Sequence, residues 1–349
     1  MATRNYEIVE LLGDGISPEL SASVRSVAEA LPVKLSFHPV DLSRESREKF
    51  GSRSLYDAAD AVIRKFRCAI KYPTETYKES PNAVLRELLN FSVIHRPVAS
   101  IPGIQTLFKK GIDLHIIRIA TGGTYEDSGR RVGTDAAVSV RVIEAKPCTE
   151  AAQFAFRLAR QLNCGVVSSS KYTIQRATDG LFEDCVSNVA KLNTNIVHRR
   201  ELFDSLLAKL VMKPEEYRII VTPNEYGDFL SDLACGLIGS IGLGDSASYA
   251  FNADYSIAHA MFDPAGGTAP DIAGKDLANP AAALFSLSSL LKHVGEMQIG
   301  HALKKAILDA IEAGERTRDL GGRLGTREFT DVVTRRMVAL LQTELLATR

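Results

Sequence analysis

The feature that most constrains the fold is an alternation of short apolar runs with longer segments whose apolar residues recur every three to four positions. The short runs are rich in Val and Ile, which is typical of buried strands, and the longer segments have the period of amphipathic helices. Strands that alternate with helices predict an α/β architecture with a largely parallel central sheet. The predicted strands are 6–12, 34–40, 69–72, 114–119, 165–168 and 217–221, and the predicted helices are 17–31, 54–65, 148–162, 200–211 and most of the tail from residue 280.

The helix predicted over 17–31 has a well-marked start. It opens with Ser17-Pro-Glu, which we interpret as an N-cap, a proline at the first helical position and an acid in the first turn. Because ligands of open α/β sheets bind beyond the carboxyl ends of the strands, we look for functional residues in the loops that follow the predicted strands.

Composition excludes several classes of protein. The 349 residues include 42 basic and 42 acidic side chains, so the net charge is zero and neither nucleic acid nor an anionic membrane is an expected partner. Five cysteines without a C-x-x-C pair predict reduced thiols. No apolar run is long enough to span a bilayer, and the N-terminus lacks a signal-peptide pattern, so we expect a cytoplasmic protein.

Two aspartates give the sharpest local signal. Asp228 and Asp232 follow the strand at 217–221 on a predicted helix, and their spacing of four places both carboxylates on one helix face. Parallel carboxylates repel unless a cation or proton lies between them, and their oxygens suit Mg²⁺ or Mn²⁺. The alternative is a pair of helix-capping and surface acids, and the spacing alone does not decide between the two.

Other polar residues stand near predicted strand ends. Asp204 is on its own a solvated helix acid, and Lys171, which follows the strand at 165–168, is either a surface lysine or a buried amine available as a base. Three arginines could together bind a small polyanionic substrate, since the guanidinium matches a carboxylate, although singly each resembles a surface residue. They are Arg86, Arg96 and Arg118.

Two glycine-rich stretches complete the set of candidates. Residues 13–19 join a strand to a helix but lack the G-x-G-x-x-G spacing of the Rossmann fingerprint, and no Walker motif is present. Residues 263–280 form a long loop that could enclose an adenosine or serve only as structure.

Taken in order, these segments resemble the β-decarboxylating dehydrogenases, the family of isocitrate and 3-isopropylmalate dehydrogenases. The resemblance covers nearly the whole chain and rests on LLGDGISPE, KYPT, SPNAVLRELLNFSVIHRPV, IIRIATGGTY, SSSKYT, TPNEYGDFLSDLACGLIGSIGLG, GGTAPDIAGKDLANP and TRDLGGRLGT. It implies a two-domain α/β fold with central mixed sheets, unrelated to the Rossmann fold. Residues 1–98 and 254–349 would form a large cofactor-binding domain, and 99–253 a small domain with the metal-site helix and the dimer interface.

The resemblance also implies roles for individual residues in a homodimer with shared active sites. Tyr125 and Lys171 match the catalytic residues, and Lys171 and Asp204 match residues supplied by the partner subunit. Asp228 and Asp232 complete the set of three metal aspartates, for Mg²⁺ or Mn²⁺. The expected substrate-binding residues are Ser80, Asn82, Arg86, Arg96 and Arg118, and the expected cofactor-binding residues are Ile16, Gly267, Thr268, Ala269, Asp271, Ile272 and Asn279.

Cofactor and substrate follow from two of the matched segments. Asp271 and Ile272 stand where NAD-dependent members carry an aspartate and NADP-dependent members carry Lys-Tyr; because a carboxylate repels a 2′-phosphate, we expect NAD. Ser80 and Asn82 resemble the Ser-x-Asn of isocitrate dehydrogenases, which favours a malate with a polar substituent at C3, namely isocitrate or an analogue. The alternatives are 3-isopropylmalate, homoisocitrate or tartrate, and a non-catalytic regulatory subunit of a heteromeric isocitrate dehydrogenase.

Several positions depart from the family pattern. Gly266 replaces a histidine, Tyr172 and Thr173 replace Ala-Asn, Ile119 replaces a glutamate and Ser17 replaces a glycine. These changes suggest a divergent member, and they leave the substrate and the pathway open.

Overall fold

The computed structural model describes residues 4–104, 106, 111–239 and 243–347, and of 344–347 only the backbone. Residues 240–242, at the end of the TPNEYGD segment, lie outside the described residues.

The described strands are β1 Asn5–Leu12, β2 Lys34–Asp41, β3 Cys68–Lys71, β4 Val93–Ala99, β5 Asp113–Ile119, β6 Arg130–Val132, β7 Ala136–Val138, β8 Val166–Ser170, β9 His198–Leu202, β10 Ile219–Thr222, β11 Asp245–Phe251 and β12 Ile257–Pro264. The described helices are α1 Ser17–Glu29, α2 Arg44–Phe50, α3 Ser52–Phe66, α4 Pro81–Leu88, α5 Ala145–Leu162, α6 Thr178–Lys191, α7 Phe203–Met212, α8 Asn224–Leu237, α9 Ala281–His293, α10 Met297–Glu312 and α11 Thr326–Ala347.

Ten of the strands form one mixed sheet, which confirms the predicted α/β class. The order is β2-β1-β3-β12-β11-β4-β5-β10-β8-β9. The pairings are parallel at both ends of the sheet, but β12 with β11, β11 with β4 and β4 with β5 are antiparallel. The prediction of a largely parallel sheet is therefore confirmed for the two flanks of the sheet and wrong for its centre. The central strands β4, β11 and β12 carry polar residues such as His95, Arg96 and Asp263, which interrupt the apolar runs that signal a buried strand.

Two local predictions are wrong. Residues 200–202, predicted as the start of a helix, belong to β9, and the helix begins at Phe203. Ser17 is the first residue of α1 rather than its N-cap, which is Ile16. The Ser17 hydroxyl instead accepts a hydrogen bond of 2.8 Å from the backbone N–H of Gly13 and so stabilises the turn before the helix.

The sheet brings candidate residues to one edge. Strands β5, β10 and β8 are neighbours and parallel, so their carboxyl ends meet. Arg118 lies near the end of β5, α8 follows β10, and Lys171 directly follows β8.

The predicted division into two domains stays a prediction. Among the residues described, no helix is both long and apolar enough to cross a bilayer.

A pair of partly buried histidines joins β4 to β5. Nε2 of His95 lies 2.9 Å from Nδ1 of His115, and the two rings stack at a centroid distance of 5.1 Å. Burial lowers the pKa of His115 to about 4, and the nearby cations Arg218, Lys304 and Lys292 act in the same direction. Both rings are therefore neutral at pH 7 in the folded protein.

Because the pKa of His115 is lowered in the folded protein, we expect the protein to lose stability in mild acid. Between pH 6.5 and pH 4 the unfolded chain binds a proton at His115 that the folded chain does not, so the free energy of unfolding falls as the pH falls. From pH 7 to pH 5 the expected contribution is about 2 kcal/mol. Urea titrations at both pH values should show this loss in the wild type and in His301→Gln, an exposed control, but a smaller loss in His115→Gln. An equal pH dependence in all three proteins would contradict the assignment.

Candidate functional site

Asp228 is the centre of a charged cluster at the carboxyl ends of the strands. Its Oδ1 accepts a hydrogen bond from Nη1 of Arg118 and lies 3.5 Å from Nη1 of Arg96. Its Oδ2 accepts a hydrogen bond of 3.1 Å from the Tyr125 hydroxyl. The structure thus brings together four of the predicted site residues, from β4, β5, the loop after β5 and α8.

Arg118 is held tightly against α8. Its Nε donates to Oδ1 of Asn224 at 2.9 Å, and Asn224 in turn donates to the carbonyl of Gly122 at 2.9 Å. A Cβ added at Gly227 would lie only 2.6 Å from Cβ of Arg118, so this close approach of helix to strand requires glycine. Burial lowers the pKa of Arg118 to about 10, with Arg96 acting in the same direction and Asp228 opposing it. Arg118 therefore still carries its positive charge at neutral pH.

The Tyr125 hydroxyl is available as a proton donor. The ring is 51% exposed, and its only described hydrogen bond is the one to Asp228. Burial and then the negative charge of Asp228 raise the pKa of Tyr125, so that the hydroxyl keeps its proton at neutral pH.

A small polar pocket adjoins the cluster. It has a volume of about 140 Å³ and is lined in part by Lys71, Asn82, Arg86, Arg96 and Asp263. Four buried atoms of these residues have no hydrogen-bond partner among the described residues: Asn82 Oδ1, Arg86 Nε, Arg96 Nε and Asp263 Oδ1. Because a buried unpaired polar atom costs about 1–3 kcal/mol, their gathering at one pocket indicates a site for a polar ligand, and the three cationic side chains favour an anion.

Lys71 and Asp263 are pocket residues that the sequence pattern did not single out. Lys71 is 2% exposed and donates to the carbonyl of Tyr72 at 2.9 Å and to the Thr74 hydroxyl at 3.0 Å. Burial lowers the pKa of Lys71 to about 8, against the opposing effect of Asp263, while burial raises the pKa of Asp263. A lysine at the end of an otherwise apolar strand was the available signal.

Lys171 and Asp204 lie together but apart from the Asp228 cluster. Nζ of Lys171 is 3.0 Å from Oδ1 of Asp204, and the hydrogen bond from Lys171 lowers the pKa of Asp204. The side chains are 29% and 68% exposed, so the pair faces outward. Among the described residues, no side-chain hydrogen bond or ion pair joins Lys171 or Asp204 to Asp228, Arg118, Arg96 or Tyr125. One chain therefore presents two partial sites.

A buried ion network connects these two partial sites. Nε of Arg141 donates to Glu225 on α8 at 2.5 Å, and its Nη1 donates to Asp179 on α6. Asp179 is fully buried and accepts the backbone N–H of Lys171 at 2.7 Å and the Tyr226 hydroxyl at 3.3 Å. Arg141 thus fixes the helix that carries Asp228 and the backbone that carries Lys171. Its position after the β6–β7 hairpin gave no sequence signal.

The metal site stays a prediction, for which one chain places two of the three expected aspartates one turn apart on α8. Asp232 lies one helical turn after Asp228, is exposed and forms no hydrogen bond or ion pair with another described residue. Its oxygens and those of Asp228 are the hard donors that Mg²⁺ or Mn²⁺ prefers, so the chemistry fits. Asp204 is engaged with Lys171, and the described residues contain no group of three His, Cys, Asp or Glu side chains placed to hold a metal ion.

The loop predicted to enclose an adenosine packs on the turn before α1. The backbone N–H of Ile16 donates to the carbonyl of Thr268 at 2.9 Å. A Cβ added at Gly15, which has φ of +59°, would lie 1.8 Å from that carbonyl oxygen, so the contact requires glycine. Glu19 on α1 accepts the backbone N–H groups of Gly274 and Asp276 at 3.0 Å each. Predicted cofactor residues from distant parts of the chain therefore meet.

Other predicted cofactor residues line the same loop. Asp271 is exposed, and its backbone carbonyl accepts a hydrogen bond of 2.7 Å from Nζ of Lys275. The Asn279 amide donates to Asp319 at 2.8 Å, a contact that identifies Asp319 as a neighbour the sequence did not reveal. Gly267, Thr268, Ala269 and Ile272 are at least partly exposed, whereas Ser80, at the start of α4, does not line the 140 Å³ pocket.

Comparison with known proteins gives a consistent result. The family model described as isocitrate/isopropylmalate dehydrogenase matches residues 7–333. The chain is 32% identical over 342 residues to a probable NAD isocitrate dehydrogenase subunit alpha of Drosophila melanogaster, covering 95% of this chain and 89% of that protein. It is 33% identical to an isocitrate/homoisocitrate dehydrogenase of Thermus thermophilus, with coverage of 96% and 99%.

Two further similarities extend this comparison. A 3-isopropylmalate dehydrogenase of Archaeoglobus fulgidus is 32% identical over 328 residues, covering 94% of this chain and 98% of that protein. The crystal structure of an isocitrate dehydrogenase from Methylococcus capsulatus superposes with a TM-score of 0.85 at 31% identity, covering 95% of this chain and 99% of that one.

Proposed function

Since this chain belongs to the isocitrate/isopropylmalate dehydrogenase family of decarboxylating dehydrogenases, we propose that it oxidises and decarboxylates a 3-substituted malate with NAD and a divalent metal ion. The observation that carries the proposal is the 140 Å³ pocket, where buried Asn82, Arg86 and Arg96 atoms lack partners. Arginine donors gathered at one pocket suit a substrate with several carboxylates.

We favour isocitrate or an analogue as the substrate. Asn82 Oδ1 and Asp263 Oδ1 add unpaired polar atoms to the pocket, and an isopropyl group there would leave them buried and unpaired. The relatives named isocitrate and isocitrate/homoisocitrate dehydrogenases support this choice. The alternatives are 3-isopropylmalate, supported by the Archaeoglobus relative, and homoisocitrate or tartrate.

The residues have distinct roles in the proposed reaction. Arg86, Arg96 and Arg118 bind the substrate carboxylates, Lys171 accepts the proton of the C2 hydroxyl, and Tyr125 returns a proton to carbon after CO₂ leaves. A divalent ion held by Asp228, Asp232 and Asp204 of the partner subunit would supply Lewis acidity at the C2 oxygen. NAD, bound by the loop around Thr268 and Asn279, would accept the hydride.

We propose a homodimer in which each active site draws on both chains. The outward-facing Lys171–Asp204 pair forms no hydrogen bond or ion pair with the Asp228 cluster among the described residues of one chain, which leaves it free to face a second subunit. Exposed apolar side chains support a subunit contact: Val132 and Val138 on the β6–β7 hairpin, Val140 after it, and Phe229 next to Asp228.

The cofactor assignment predicts the effect of a single substitution. Asp271→Ser should lower kcat/KM for NAD by about tenfold, because a hydrogen bond from the ribose to a carboxylate is lost, and should raise the ratio of NADP to NAD activity. Steady-state assays with both cofactors measure this. Asp184→Ser, on the exposed face of α6, is the matched control and should change neither value. A wild-type enzyme that uses NADP in preference to NAD would refute the assignment.

The proposed function itself is tested by purified protein with Mg²⁺, NAD and a panel of 3-substituted malates. Turnover of isocitrate or an analogue with release of CO₂ is the expected result. A folded dimer that turns over none of them, yet raises the substrate affinity of a partner enzyme, would favour a regulatory subunit instead. Retention of Tyr125, Lys171 and the three metal aspartates argues for catalysis.

A further inference from the structure

A second cavity lies on the opposite face of the sheet from the substrate arginines. Side chains alternate between faces along a strand, and the register of β4 with β5 pairs Arg118 with Ile94 and Arg96 with Ile116. Arg96 and Arg118 therefore share one face, while His115 points to the other. There it contributes to a pocket of about 270 Å³ between β4, β5, α9 and α10, which we name the rear pocket.

Two lysine side chains in the rear pocket form no direct ion pair with any residue that the structure describes. Lys292 at the end of α9 and Lys304 on α10 both line the pocket, and neither ammonium group has a hydrogen-bond partner in those parts of the chain. Burial lowers the pKa of Lys292, with Asp245 opposing and Lys304 acting in the same direction. Asp245 instead accepts a hydrogen bond of 2.6 Å from the Ser289 hydroxyl.

The other charged groups of the rear pocket leave an excess of donors. Arg218 and Asp113 form an ion pair at 2.6 Å, yet the Nε of Arg218 is buried and has no hydrogen-bond partner in the described part of the chain. His115 is neutral at pH 7, and the exposed His301 adds a further polar nitrogen at the rim. The three cations in the described lining, Lys292, Lys304 and Arg218, thus outnumber its two carboxylates, Asp113 and Asp245.

We propose that the rear pocket binds a small anion with two or more negatively charged oxygen groups, held by Lys292, Lys304 and the Nε of Arg218. Its volume is below the roughly 300–1,000 Å³ of pockets for drug-sized ligands, so the ligand is small. Carboxylates and phosphates share the required chemistry. The site is separate from the substrate pocket, because the sheet lies between them, and binding there does not depend on the proposed activity.

Calorimetric titration of the full-length protein at constant ionic strength tests this site, with citrate and pyrophosphate as separate probes. Lys304→Gln and Lys292→Gln should each weaken the affinity for the preferred probe by about tenfold, as expected for loss of one charge-assisted contact. Lys305→Gln is the matched control. It removes the same charge one residue along α10, where the side chain is 61% exposed and pairs with Asp309 at 2.9 Å.

The affinities of the wild type and the variants for the two probes show which groups the ligand carries and whether the rear pocket binds it. A tighter fit for citrate would identify carboxylates as the ligand groups, and a tighter fit for pyrophosphate would identify phosphates. Citrate or pyrophosphate could also bind at the substrate pocket, and that binding would be unchanged in Lys304→Gln. Only the binding that this variant loses therefore reports on the rear pocket. Identical isotherms for the wild type and all three variants, in proteins with unchanged thermal melting, would overturn the proposal.

Discussion

Replacing Lys171 by methionine is expected to lower kcat by about a thousandfold. The substitution keeps the length of the side chain but removes the amine that accepts the hydroxyl proton, and a positioned general base contributes about 10²- to 10⁴-fold. Stability should change little, because the ion pair with Asp204 is largely exposed and solvent screens such pairs. Stopped-flow or steady-state measurement of NADH formation gives the rate.

The control for this experiment is Lys146→Met. Lys146 is 81% exposed and lies 4.0 Å from Glu150 at the start of α5, so its loss should leave kcat unchanged. A Lys171→Met protein that keeps most of its turnover would remove Lys171 from the chemistry, although it would not by itself exclude the enzyme class.

Mixed dimers should recover activity that neither parent has. In the proposed shared site, Lys171 comes from one chain and Tyr125 from the other. A dimer of one Lys171→Met chain and one Tyr125→Phe chain then has one site with both defects and one intact site. We expect about half the kcat of the wild-type dimer, since closed two-fold assemblies contain two equivalent sites.

The measurement uses chains with two different affinity tags, purified in sequence so that only mixed dimers remain. Tyr125→Phe removes one oxygen whose single described contact is with Asp228, so folding should be unaffected. Mixed dimers as inactive as their parents would show that Lys171 and Tyr125 act within one chain. A protein that elutes as a monomer at working concentration would contradict the shared site directly.

Much of the fold follows from local patterns in the sequence. Strands such as β1, β5 and β8 and helices such as α1 and α5 have the expected apolar period, so their type was predicted, with ends shifted by a few residues. The antiparallel centre was not, because β4, β11 and β12 carry polar side chains such as Arg96, Ser246 and Asp263, which line the 140 Å³ pocket and interrupt the apolar runs. Functional residues in a strand hide the pattern by which strands are recognised.

The candidate site likewise contains some residues that the sequence pattern singles out and others that it does not. Arg118 and Asp228 have a signal in their motifs, and the structure joins them. Asp263 and Arg141 stand out only once the chain is folded, because burial and the proximity of residues more than 80 positions away in the sequence define them. Three-dimensional neighbours of this kind have no local sequence period.

The Arg141 network would have a consequence for the proposed dimer. There Asp228 would belong to the active site of its own chain and Lys171 to that of the partner, while Arg141 connects the two through Glu225 and Asp179. In such a dimer a disturbance of Arg141 would reach α8 through Glu225 and the backbone of Lys171 through Asp179. One buried side chain would thus support parts of both proposed centres.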